Sequence, residues 1–228
     1  GSRASTPSGA AAAIAAAPSR RAPGRLIAAA LSVAAVAALA FWAGQHWTRS
    51  EPPGTPPSFT RLTFDRKTIQ AARFMPDGRE VVFSARSQDG TPALYTVRLD
   101  SATVRSLEQP RTHLLAISGN RELLVLTDAS WIAHRLYAGT LARMPVDGAP
   151  KALLKHVREA DWAPNGEDMA IVRDTEGKDR LEYPVNTVLY ETSGYVSDVR
   201  VSPDGARVAF MDHQARYDDR GWVKVNLA

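Results

Sequence analysis

Residues 59–228 of this 228-residue chain predict an all-β fold, a β-propeller of about four visible blades. Three observations carry that prediction. From Phe59 onward, short runs rich in Val, Leu, Phe and Tyr alternate apolar and polar residues with period two, the pattern of half-buried strands. A Pro-Asp-Gly phrase recurs between such runs, in "ARFMPDGREVVFSAR" (Ala72–Arg86), "ADWAPNGEDMAIVRD" (Ala160–Asp174) and "VRVSPDGARVAFMDH" (Val199–His213), with a degraded copy in "LLAISGNRELLVLTD" (Leu114–Asp128). Aligned on the strand after each turn, Glu80, Glu122, Asp168 and Arg207 stand 42, 46 and 39 residues apart. Repeats of about 40–45 residues with four short strands are the signature of propeller blades.

Residues 1–25 are Ala, Ser, Pro, Gly and Arg with one Ile and one Thr, too little apolar surface to offset chain entropy, and read as a disordered tether. Residues 26–48, "LIAAALSVAAVAALAFWAGQHWT", are 23 residues without a formal charge, bracketed by Arg25 and Arg49. As a helix they would reach about 34 Å, enough to cross a hydrocarbon layer of about 30 Å. Phe41, Trp42 and Trp47 gather at one end, where aromatic rings settle at the headgroups. Arg20, Arg21 and Arg25 precede the run, and the excess of positive charge puts the N-terminus in the cytoplasm and the rest outside. The expectation is a single-pass span of the inner membrane; a buried helix of a soluble protein and a cleaved signal core are the alternatives, the run being longer than an ordinary signal core. Residues 49–58, with four prolines, read as a stiff spacer.

The blades are expected at about 65–109, 112–156, 157–193 and 195–228. In each turn phrase Pro presets φ, Asp or Asn tolerates the next position and Gly takes the left-handed conformation. Pro76, Asp77 and Gly78, then Pro164, Asn165 and Gly166, then Pro203, Asp204 and Gly205 are therefore assigned as structural hairpin turns. Phe74, Trp162 and Val201 occupy one equivalent place before these turns and are expected to pack blade on blade. The last blade stops one strand short, while "FTRLTF" (Phe59–Phe64) precedes the first blade as an orphan strand that could complete it; a larger ring is the other reading.

Charge narrows the function. Residues 1–48 hold four Arg and no acid, so the 28 Lys and Arg minus these four leave 24, equal to the 24 acids. A neutral body argues against nucleic-acid binding, which needs a basic face. With no cysteine, disulfide and thiolate chemistry are excluded and the compartment is undecided. There is no phosphate-cradling glycine loop, kinase catalytic loop or G-x-S-x-G elbow. Asp212, His213, Asp218 and Asp219 could offer metal ligands but lack the spacing of a calcium loop or a zinc helix, and His113, His134 and His156 stand isolated. No catalytic, cofactor-binding or metal residue is assigned.

The phrases "FMPDGREVVFSA", "DWAPNGEDMAIV" and "VSPDGARVAF" resemble the TolB-like, WD-type propeller repeats of bacterial envelope proteins. The order of Arg/Ala/Pro-rich tether, span and Pro-rich spacer, then "FTRLTFDRKTIQAARFMPDG", "GTLARMPVDGAP", "LEYPVNTVLYETSGY" and "DDRGWV", covers about Arg20 to Ala228 and resembles the C-terminal half of bacterial transmembrane serine/threonine protein kinases. That resemblance implies a kinase domain before Gly1, with ATP and Mg bound there and not in this chain, and an extracytoplasmic sensing or protein-interaction propeller for an unknown protein or small-molecule ligand. The alternatives are a TolB-like envelope scaffold without an enzyme, the propeller half of a prolyl-oligopeptidase-like hydrolase whose catalytic domain would follow Ala228, and a winged-helix regulator ahead of the span.

Overall fold

The computed structural model describes residues 23–47, 57–64, 67–87, 89–133, 136–216 and 218–227. Most of the expected tether and spacer lies outside them. The chain divides into two compact units, Gly1–Phe59 and Thr60–Ala228.

In the first unit one helix, α1 (Pro23–Trp47), runs for 25 residues. Pro at its first position suits a helix start, and the Ala- and Leu-rich interior has high helix propensity. The described side chains of residues 27–28 and 31–44 are all exposed, including Leu31, Val33, Val36, Leu39 and Phe41, so no single apolar stripe is buried. Among the described residues no helix is long and apolar enough to cross a membrane, and the expected span of residues 26–48 is supported as a helix only.

The second unit is all β. A four-stranded antiparallel sheet runs β1 (Thr68–Phe74), β2 (Glu80–Arg86), β3 (Pro92–Arg98), β4 (Val104–Pro110). A seven-stranded sheet follows, its strands also neighbouring in chain order: β5 (His113–Ile117), β6 (Glu122–Ala133), β7 (Leu136–Pro145), β8 (Lys151–Trp162), β9 (Met169–Thr175), β10 (Lys178–Glu182), β11 (Val188–Thr192). The last sheet has three strands, β12 (Tyr195–Val201), β13 (Arg207–His213), β14 (Trp222–Leu227).

The seven-stranded sheet is two blades sharing one strand. Residues 151–157 of β8 pair with β7, and residues 157–162 pair with β9. The change of partner falls at Val157, next to His156 with its φ of 60°, and β8 runs unbroken across the expected boundary between residues 156 and 157. The innermost strands then pack in succession, β1 on β5, β5 on β8 and β8 on β12.

Three apolar layers join the blades. Val82, Leu94 and Leu107 of the first meet Leu114, Leu123, Val125 and Met144 of the second. Leu124, Leu126, Tyr137 and Leu141 then meet Val157, Trp162, Met169 and Ile171. Ala170, Val172, Leu181 and Tyr183 meet Val196, Val199, Val208 and Phe210. Alternation puts successive residues of one strand on opposite blade faces, so Leu123 serves one layer and Leu124 the next. Each fully buried Leu or Val stabilises by about 1.5–3 kcal/mol.

The third layer also carries a buried ion cluster. Arg158 Nη2 lies 2.7 Å from Asp174 Oδ2 and 2.8 Å from Asp179 Oδ1. Asp179 is fully buried, and its Oδ2 accepts the Val196 N–H at 2.9 Å, tying β10 to β12. Arg216 reaches across from beyond β13 to Asp174 at 3.2 Å.

Two expectations change. Phe59–Phe64 forms no strand: its Leu62 packs on Phe83, Ala85 and Val97 on the outer face of the first blade, which no described blade covers. For the same reason Phe74 is 66% exposed, whereas the equivalent Trp162 is buried between blades and Val201 is partly buried.

Candidate functional site

The turn residues stand at three equivalent hairpin tips. Gly78, Gly166 and Gly205 have φ of 67°, 70° and 72°, and each N–H donates three residues back, to Met75, Ala163 and Ser202 carbonyls at 2.8, 3.0 and 2.8 Å. Asp77, Asn165 and Asp204 side chains accept N–H groups two residues on, at 3.0, 3.0 and 3.1 Å. In the degraded copy the loop is one residue shorter, and Arg121 itself turns left-handed at φ 64°. Arg121 Nη1 also reaches Asp77 Oδ2 at 3.0 Å, linking neighbouring tips. These residues build the scaffold and none lines a cavity among those described.

The four innermost strands converge elsewhere. Each departs from regular register against the next strand of its blade, between Ile69 and Ala71, Leu114 and Ala116, Val157 and Glu159, and Ser197 and Arg200. Such bulges re-aim side chains, and here they help line a cavity of about 90 Å³ to which all four strands contribute, Gln70, Arg73, His113, Glu159, Asp198 and Arg200 among them. Asp161 stands beside it on β8, its Oδ2 accepting the Val201 N–H at 2.9 Å. Arg73, Asp161 and Arg200 occupy one repeat position, three residues before the turn proline.

The electrostatics of this channel are tense. Burial lowers the Arg73 pKa and the Arg200 charge lowers it further, while Glu159, Asp161 and Asp198 act in the opposite sense. Burial raises the Asp161 carboxyl, against the Val201 hydrogen bond and the two guanidiniums. His113 is depressed to about 4, first by burial and then by Arg73, and stays neutral. Its Nδ1 shares a 3.0 Å hydrogen bond with Ser84 Oγ, and its ring stacks on Tyr137 at 4.4 Å. Two arginines and three carboxylates thus give a formal charge of −1 across Arg73, Arg200, Glu159, Asp161 and Asp198. Fixed guanidinium donors and carboxylate acceptors in one recess suit recognition of a polar or charged group.

A second Ser–His pair joins Ser197 Oγ and His213 Nε2 at 3.0 Å, with Tyr195 stacked on the imidazole at 3.9 Å. His213 Nδ1 faces the Asp218 and Arg220 carbonyl oxygens, both at 3.1 Å, in place of a carboxylate. Ser197 and His213 are each 3% exposed. The pair is closed to a substrate and clamps the segment between β13 and β14. The acids beside it are engaged: Asp212 Oδ2 lies 2.7 Å from Lys224, and Asp218 Oδ2 lies 2.7 Å from Arg220, which holds the Asp218 carboxyl down at about 2. Among the described residues no group of three or more His, Asp or Glu is placed to hold a metal ion.

Sequence reading missed Arg73, Glu159, Asp161, Asp198 and Arg200. A signal was present: a charge three residues before the turn proline recurs in "ARFMP", "ADWAP" and "VRVSP", inside strands whose neighbours are apolar.

No family model matches the chain, and no curated protein matches it in sequence. Solved structures do match in fold. TolB from Acinetobacter baumannii is 15% identical with a TM-score of 0.54, the likeness covering 73% of this chain and 44% of that one. A structure described as TolB from Agrobacterium tumefaciens is 17% identical with a TM-score of 0.54, covering 67% and 58%. The chain spans about half the length of these structures. At such identities the likeness shows the fold alone, which is a TolB-like β-propeller.

Proposed function

We infer that this chain is an extracytoplasmic sensing or interaction module, a β-propeller held to the membrane by residues 26–48, and the C-terminal part of a receptor serine/threonine kinase. The observation that carries the binding half is the channel cluster. Arg73, Arg200, Glu159 and Asp198, brought from the inner strands of three blades, line one small recess, where fixed guanidinium donors and carboxylate acceptors suit a polar or charged ligand. The propeller fold supports the same reading, because it gathers strands from several blades around one axis. The anchor and the kinase rest on the sequence: 23 uncharged residues, arginines on their N-terminal side, and a layout like that of transmembrane kinases. In this reading phosphate transfer, ATP and Mg belong to a domain before Gly1.

A second reading, a TolB-like envelope scaffold with no enzyme attached, is favoured by the fold likeness to two TolB structures. The coding sequence upstream of Gly1 separates the two readings.

The binding claim is tested by placing a photo-reactive phenylalanine analogue at Gln70, in the channel, and at Asp147, a well-exposed position outside it, in cells carrying the parent protein. Irradiation is expected to give a discrete adduct from position 70 alone, lost when Arg73 and Arg200 are both replaced by Ala. Equal adduct patterns from both positions, or an adduct indifferent to the two arginines, would remove the channel as the binding site.

A further inference from the structure

The ion cluster of the third interface and the charges of the channel differ in kind. Arg158 and Asp179 are 6% and 0% exposed, pair with each other and stitch two blades together. The charges that line the channel recess, Arg73, Glu159, Asp198 and Arg200, are each half-buried, drawn to one place yet within reach of a small solute. A guanidinium has five N–H donors and a carboxylate about four acceptor sites, so groups already engaged with their neighbours keep capacity for a ligand. Arg73 Nη1 donates to the Ala72 carbonyl at 2.9 Å, and Asp198 Oδ2 accepts the Ser197 hydroxyl at 2.9 Å, which orients both before a ligand arrives.

Size and charge then define what fits. At about 10–15 Å³ for each water-sized group, a recess of about 90 Å³ seats about six to nine non-hydrogen atoms. Two cations and two anions line it, and the other polar groups, Gln70 and the neutral His113, add no charge. A bare anion would meet Glu159 and Asp198 along with the arginines, and a bare cation would meet both guanidiniums, so that attraction and repulsion offset each other. A solute with a carboxylate and an ammonium one carbon apart turns each group to its opposite. Ala71, Leu114 and Leu115 supply an apolar wall for a short side chain.

We propose that the channel recess binds a small zwitterion, a free α-amino acid of the size of alanine or serine, with its carboxylate on Arg73 and Arg200 and its ammonium on Glu159 and Asp198. The proposal rests on the reading of the channel as the binding site and names the class of ligand for it. Asp161 is a positioning residue in this arrangement: its Oδ2 holds the Val201 N–H and so fixes β12, which carries Asp198 and Arg200.

The test uses solutes that differ by one charged group, titrated calorimetrically into the full chain in mild non-ionic detergent near neutral pH. Propionate is L-alanine without the ammonium, and ethylamine is L-alanine without the carboxylate. L-Alanine is expected to bind at one saturable site at millimolar concentration or below, and both partial solutes to bind about tenfold more weakly or worse, the loss expected of a hydrogen bond to a charged group. Glu159→Gln should then weaken L-alanine while leaving propionate unchanged or tighter, a split that a variant failing to fold would not give. Propionate or ethylamine binding as tightly as L-alanine overturns the proposal in favour of a simple anion or cation site, and glycerol binding as tightly overturns it in favour of a neutral polyol. Absence of saturable binding by glycine, L-alanine and L-serine overturns it as well. In that case an adduct from position 70 that still depends on Arg73 and Arg200 keeps the channel as the site of another ligand, and lack of that adduct removes both readings.

Discussion

Acid should weaken this propeller through His113 before it touches most of the carboxylates. The imidazole is buried among Ser84, Tyr137 and the Arg73 charge, and its pKa falls from 6.5 to about 4. The unfolded chain therefore takes up a proton on this residue near pH 6.5, and the folded chain does so only near 4. Stability is complete above pH 6.5, declines as pH falls through that window and levels off below 4. With those two values the loss is about 2 kcal/mol at pH 5 and about 3 kcal/mol at pH 4, since each tenfold difference in proton affinity between the two states is worth about 1.4 kcal/mol. The perturbation is His113→Gln, which keeps a side chain able to bond Ser84 and removes the titration. Urea midpoints of the full chain in mild non-ionic detergent, from pH 7.5 to 4, should show the parent losing about 2 kcal/mol more than the variant by pH 5. Parallel pH dependences would refute the claim that a neutral histidine is trapped between the first two blades.

Gly205→Val should cost about 1–3 kcal/mol, because φ is 72° there; an added Cβ meets only ordinary contacts at 3.5 and 3.6 Å, so backbone strain and not collision sets the figure, read from the urea midpoint. Asp179→Ala should lose about 3–5 kcal/mol by leaving Arg158 short of a partner and Val196 N–H without its acceptor, whereas Asp179→Asn should keep part of that; equal midpoints would deny the ion cluster its role at the third interface. If residues 26–48 anchor the protein, the full chain should stay with membranes through alkaline extraction, and recovery in the supernatant would remove the anchor.

The turn phrases were legible because their chemistry is local: Gly78, Gly166 and Gly205 need only their neighbours to adopt a left-handed turn. Blade spacing followed from the same phrases. What stayed hidden depends on residues far apart in sequence. "FTRLTF" alternates like a strand, but the nearest apolar surface is a blade face, and burying Leu62 there replaces strand pairing. No local pattern shows that β8 serves two blades, since the change of partner at His156 and Val157 is decided by where β7 and β9 end up. His113 reads as isolated in sequence because Ser84 lies 29 residues earlier and Tyr137 arrives from another strand. The channel charges recur in three of the four blades, yet their convergence needs inner strands that lie far apart in sequence.

The central claim is that the channel charges serve binding and not the stability of the fold. Its most direct measurement is the urea midpoint of Arg73→Gln beside the parent. Burial and Arg200 together disfavour the Arg73 cation in the folded state, so removing that charge should leave the midpoint unchanged or raise it. A fall equivalent to more than about 1 kcal/mol, the usual cost of losing a structural contact, would contradict the account and make the cluster part of the scaffold.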